Sequence, residues 1–213
     1  MERSLFNEKH SLAIRLWHWT FFVFISSSVA MVILASTLFD TGDNVGTVQE
    51  EVARKGGSVT MEQARAVAHE FNDKLWMMHK YAGVGIAFLL LFRIIIEFAA
   101  KKEERLGRKI KRVLQLKFTG GEEQKQKRDY LLAKYGYLLF YLLIFVMVIT
   151  GLALVGENVP FLKSIRRPVK SIHNMVQWGI YGYIFLHLAG VVLADVTHSK
   201  GIVSRMIHGK KDQ

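Results

Sequence analysis

Eight histidines occur in this chain, and His173 and His187 stand fourteen residues apart within one apolar stretch. At ~3.6 residues per turn and ~1.5 Å per residue that spacing is close to four whole turns, so both imidazoles share a helix face ~21 Å apart. They are too far apart to bind one metal ion, yet each could bind one of two. His18 and His79 also lie in or at the edge of apolar stretches, whereas His10, His69, His198 and His208 fall in polar flanks or loops. The latter four read as solvated surface residues. A histidine inside a bilayer is different, because an ionisable group there is costly and is usually kept for function.

The elements that must position these four side chains are visible as apolar blocks, Leu16 to Leu38, Leu75 to Ala99, Tyr135 to Val155 and Met175 to Ala194. Each approaches the ~20 residues that cross a ~30 Å hydrocarbon core, which predicts membrane helices over about 14–38, 75–99, 135–155 and 172–195. The first block is longer than a ~7–15-residue signal h-region and lacks a small-residue cleavage site, so it reads as a retained helix. The fold class expected is all-α integral membrane, a four-transmembrane-helix bundle forming one domain over residues 1–213.

The formal net charge of +11 is distributed by connection. The leading segment, the connection 100–134 and the tail carry nineteen Lys and Arg, against eight in the alternate connections 39–75 and 156–172. By the positive-inside rule both termini and the basic 100–134 connection are cytoplasmic. The basic excess thus encodes orientation, and no nucleic-acid partner is expected. Outside, residues 39–74 begin with a turn-like Asp40-Thr41-Gly42-Asp43-Asn44, and Thr60-Met61-Glu62-Gln63 has the pattern of a capping box. A short surface helix is expected there, possible as a continuation of the second membrane helix. The inside connection reads as helical extension plus a solvated turn around Gly120-Gly121, and Pro160 and Pro168 interrupt no apolar block.

Orientation selects the histidine partners. With the N terminus inside, His18 and His187 fall at the inner level and His79 and His173 at the outer level. Two imidazole pairs at two depths match the bis-imidazole ligation of two haem irons, so two haems within the bundle are expected. Imidazole also binds zinc, copper and nickel; no carboxylate or thiolate accompanies the pairs, and Gly83, Gly85, Gly179, Gly182 and Gly190 would let a flat macrocycle near the backbone. The absence of cysteine excludes thiolate-bound iron–sulfur clusters, covalent c-type haem and dithiol chemistry. Arg93, fourteen residues after His79, shares its face near the inner level. It could serve a haem propionate, pair with Glu97 four residues on, or snorkel to headgroups. Arg15 and Lys80 are further candidates for propionates or lipid phosphates, and Trp17, Trp19, Trp76 and Trp178 are expected in interfacial aromatic belts.

Arg15-Leu16-Trp17-His18-Trp19, His79-x3-Gly83 with Arg93 downstream, His173-x13-His187, and the tail Asp195-Val196-Thr197-His198-Ser199-Lys200-Gly201-Ile202 leading to Met206-Ile207-His208-Gly209 occur in that order. In this the chain resembles the bacterial cytochrome b561 family, which includes the cytochrome-b subunits of membrane-bound nickel–iron hydrogenases. The resemblance covers the membrane portion and implies a di-haem protein of the bacterial inner membrane, with two haem b groups on His18, His79, His173 and His187. It also implies electron exchange with quinone, often as the anchor of a periplasmic redox protein such as a hydrogenase or cytochrome c, an electron-transfer subunit rather than a stand-alone enzyme. Two competing readings are a self-sufficient oxidoreductase passing electrons from superoxide to quinone, and a non-redox bundle whose histidines handle protons.

Overall fold

A computed structural model describes residues 11–117, 120–156, 158–197 and 201–209. His10 and His198, and with them Ser199 and Lys200 of the tail motif, lie outside the described residues. In chain order the α-helices are α1 (Leu12–Ala35), α2 (Thr41–Arg54), α3 (Met61–Ala99), α4 (Leu106–Gln115), α5 (Gly121–Val155), α6 (Pro160–Ser164), α7 (Arg166–Thr197) and α8 (Ile202–His208). Helices α1, α3, α5 and α7 are long and apolar enough to cross a membrane, so the four expected spans are present.

Three of these spans are longer than their apolar blocks. Helix α3 has 39 residues, ~58 Å at ~1.5 Å per residue, nearly twice a ~30 Å hydrocarbon core. The surface helix expected after Thr60 is therefore the first part of α3. Its start is a reciprocal capping box: Thr60 N–H donates to Gln63 Oε1 at 2.9 Å, and Gln63 N–H donates to Thr60 Oγ1 at 3.2 Å. Helix α5 likewise begins at Gly121, fourteen residues before its apolar block. Apolarity marks the part of a helix that lipid must cover, whereas backbone hydrogen bonding continues into water wherever the side chains allow it.

Two expectations for the connection between the first two spans change. The first span ends at Ala35 rather than Leu38. The turn-like Asp40–Asn44 segment instead starts α2, because the Asp40 carboxylate accepts from Gly42 N–H at 2.8 Å and Asp43 N–H at 3.4 Å, an N-cap. Gly56, at φ +82°, supplies the left-handed turn after α2. The two prolines fall where the helix has no use for their missing N–H, Pro160 at the start of α6 and Pro168 in the first turn of α7.

The helices divide into two compact units, one made of the described residues of Met1–Trp19 and Phe88–Gln213, the other of Thr20–Ala87. Within Thr20–Ala87, Phe24 fills the space beside Gly85, Ser28 meets His79, and Asn72 meets Ala35 and Phe39. Residue numbers fall on α3 as they rise on α1, so these segments are antiparallel. Asn72 is buried, and its amide donates to the carbonyls of Ala35 at 2.7 Å and Phe39 at 2.8 Å. It thereby satisfies acceptors that the end of α1 leaves without a helical partner.

In the other unit α5 and α7 pack antiparallel, with Thr150 on His173, Leu143 against Gly179 and Phe140 stacked on Tyr183. The first turns of α1 meet α8 here. Arg15 donates to the Ile207 carbonyl at 2.7 Å and Trp19 Nε1 to the Met206 carbonyl at 3.3 Å. Asp195 accepts from Ile202 N–H at 2.9 Å, and Gly201 and Gly209 take left-handed conformations at either end of α8. The described part of the tail motif is therefore a structural clasp for the start of α1.

Candidate functional site

His18 on α1 and His187 on α7 face each other with ring centroids 6.3 Å apart and planes inclined at 59°. Two imidazoles binding one metal from opposite sides, with bonds of ~2 Å and ~1 Å from nitrogen to ring centre, would stand ~6 Å apart. The observed separation fits that geometry. The rings are too far apart to hydrogen-bond to each other at the ~3 Å of a normal N–H···N contact. Aromatic neighbours fix both rings: Trp19 meets His18 edge-on at 5.4 Å, and Tyr183 lies parallel to His187, within 6° at 6.1 Å. Tyr183 is in turn stacked on Phe140 at 4.8 Å.

His173 and His79 belong to different units, and each is held through the same ring atom. Thr150 Oγ1 lies 2.9 Å from His173 Nδ1, and the same hydroxyl reaches the Val146 carbonyl at 2.7 Å and the Met147 carbonyl at 3.1 Å. A threonine hydroxyl has one proton to donate, and helical geometry directs it to a backbone carbonyl one turn back. Toward His173 the oxygen then accepts, so Nδ1 carries the hydrogen. His79 Nδ1 lies 3.0 Å from Ser28 Oγ and 3.3 Å from the Ser28 carbonyl, which can only accept. Both rings are thus Nδ1–H tautomers, in which Nε2 carries a lone pair free to coordinate a metal.

The three candidate cations are placed differently. Arg93 donates from Nε to Tyr141 Oη at 3.0 Å and pairs through Nη1 with Glu97 at 3.1 Å, with side chains 14% and 29% exposed. Its guanidinium also lies 5.4 Å from the Tyr141 ring centre. The Glu97 pair, one of the roles expected for Arg93, is present. Arg15 serves the clasp at α8, and Lys80 is exposed on α3 beside His79.

Trp17 departs from the expected interfacial belt. It is buried, donates from Nε1 to the Leu89 carbonyl at 2.8 Å and lies 6.3 Å from Tyr141. Trp19 is similarly tied to a backbone carbonyl, whereas Trp76 and Trp178 are exposed. An indole N–H removed from water needs an acceptor, and these two find one within the protein. Among the glycines, Gly85 and Gly179 make room for Phe24 and Leu143 and so serve helix packing, while no protein atom comes within 4 Å of a Cβ built at Gly83, Gly182 or Gly190.

The sequence reading missed Ser28, Thr150, Asn72 and Tyr141. A signal existed for Ser28, a hydroxyl ten residues beyond His18 on α1, ~15 Å along the axis and so near the level of the other histidine pair. The donors suit a metal that takes four ligands from a macrocycle and two imidazoles from protein. Among the described residues no three His, Asp or Glu side chains gather as a site for a bare metal ion.

Neither the curated proteins nor the solved structures contain a match to this chain. The family model for prokaryotic cytochrome b561 matches residues 9–209, nearly the whole sequence and all four apolar helices. This chain belongs to the prokaryotic cytochrome b561 family, membrane haem-b electron-transfer proteins, and its four apolar helices fit a bacterial membrane protein.

Proposed function

We propose that the protein conducts electrons across the bacterial inner membrane between the quinone pool and a periplasmic redox partner of hydrogenase or cytochrome c type. Two b haems would serve, one held by His18 and His187, the other by His79 and His173. The observation that carries this reading is the 6.3 Å between the His18 and His187 rings, the separation of two imidazoles flanking one iron. The assignment of His79 to His173 rests on the matched depth expected for residues near the starts of the second and fourth spans, which an alternating topology runs in the same direction. Both termini and the 100–134 connection are assigned to the cytoplasm by the lysine and arginine bias.

A haem held by two of these imidazoles would supply one-electron chemistry, and ligation by both would favour outer-sphere transfer over binding of a small ligand. The protein's own contribution is positional. Tyr183 and Trp19 orient the first pair of rings, and Thr150 and Ser28 fix the tautomers of the second. The Arg93–Glu97 pair places a cation and its counter-charge together within α3, so the helix carries both with little net charge.

The test is haem content per chain with a reduced-minus-oxidised spectrum of purified protein, repeated for His18→Ala and His79→Ala. Two b haems in the parent and one in each variant are expected. A folded preparation that binds no haem would overturn the reading and return the histidines to proton handling.

A further inference from the structure

We infer that Thr150 and Ser28 are positioning residues, each setting the redox potential of a haem held by the histidine it touches, His173 for Thr150 and His79 for Ser28. The inference rests on the ligand assignment proposed above and adds to it a role for two hydroxyls inside apolar helices. The same arrangement occurs twice, independently, in the two units: a buried hydroxyl on a neighbouring helix within hydrogen-bond distance of a histidine Nδ1, at 2.9 Å for Thr150 and 3.0 Å for Ser28. Each hydroxyl also has a fixed setting. Thr150 is anchored to the carbonyls of Val146 and Met147, and Ser28 works beside its own carbonyl. Gly151, next to Thr150, leaves His173 room: a Cβ there would stand 3.3 Å from His173 Cε1.

A hydroxyl accepting from Nδ1–H does two things to an imidazole. It holds the ring in one rotation with Nε2 directed to the metal, and it draws the Nδ1 proton outward, making Nε2 a stronger electron donor. A stronger donor stabilises the oxidised iron more than the reduced iron. Each hydroxyl therefore holds the potential at its own histidine below the value the same ring would give without it, and removing the hydroxyl should raise that potential. Loss of such an outer partner changes metal affinity by ~10–100-fold. A ~10-fold loss confined to the oxidised state corresponds to ~59 mV for a one-electron couple.

The experiment is a spectroelectrochemical titration of purified protein carrying Thr150→Val, Thr150→Ser or Ser28→Ala, with haem per chain measured on the same samples. Thr150→Val keeps the shape and removes the acceptor; it should raise one midpoint by an amount equivalent to ~10-fold and leave the other in place. Thr150→Ser should restore the parent value, and Ser28→Ala should raise a midpoint by a smaller amount, because the residue 28 carbonyl, 3.3 Å from His79 Nδ1, stays as an acceptor. If Thr150→Val instead sheds one haem, recovery by Thr150→Ser supports the role and failure to recover refutes it. Unchanged midpoints at full haem content, or an equal shift of both, would also refute it. His173→Ala separates the two levels of the argument. If that variant keeps every haem, the ligand assignment is wrong; if it loses one while Thr150→Val is silent, only the role of the hydroxyl is wrong.

Discussion

Replacing Asn72 by Ala should loosen the attachment of α3 to the end of α1, and its cost can be worked from the two hydrogen bonds that this side chain makes. The amide is buried and donates both its hydrogens, to Ala35 O at 2.7 Å and Phe39 O at 2.8 Å. Each bond contributes ~1 kcal/mol net, and a buried acceptor left without a donor adds a desolvation cost of ~1–3 kcal/mol. Ala35 is 2% exposed, whereas Phe39 is 39% exposed, so water can reach Phe39 more readily and most of the penalty falls on the Ala35 carbonyl. The total is ~3–5 kcal/mol, roughly 6–20 °C in melting temperature for a chain of this length. Asn72→Asp should cost more, since it turns a carboxylate toward two carbonyl oxygens. The assay is thermal unfolding in detergent followed by circular dichroism. A melting temperature for Asn72→Ala within ~1 °C of the parent, less than ~0.5 kcal/mol, would show that neither carbonyl depends on Asn72.

Two further substitutions probe the same packing. Gly85→Ala would drive a methyl group into the Phe24 ring; a loss of ~1–3 kcal/mol is expected from overpacking, and adding Phe24→Leu should recover part of it in the same unfolding assay. Arg93→Ala should destabilise more than the double variant Arg93→Ala/Glu97→Ala, because the single change leaves a partly buried carboxylate without its cation; a double-mutant cycle should return a coupling of ~1–3 kcal/mol, and additive effects would show that the pair is incidental.

The four apolar blocks and the charge bias of their connections were legible because both are properties of composition that a bilayer enforces on any chain. The approach of His18 to His187 was expected from depth alone. Helical periodicity places residues along one axis, and an alternating topology then decides which ends share a level. Helix ends were less legible. Asp40 reads equally well as the first residue of a turn or as an N-cap, since the same carboxylate-to-N–H bonds serve both, and the polar start of α3 carries no hydropathy signal.

What the sequence determined by itself is the number of spans, the four-turn spacing of His173 and His187 along one helix and the lack of any cysteine thiolate, all of which depend on residue type and spacing along the chain. Only the tertiary structure decided which side chains meet. That Thr150 and Ser28 sit at histidine Nδ1, that Arg93 chooses Glu97 and Tyr141, and that Trp17 is buried on a backbone carbonyl depend on the rotation and offset of one helix against another. Those are set by the fit of many side chains at once, such as Phe24 into the space at Gly85, and no single segment of sequence contains that information.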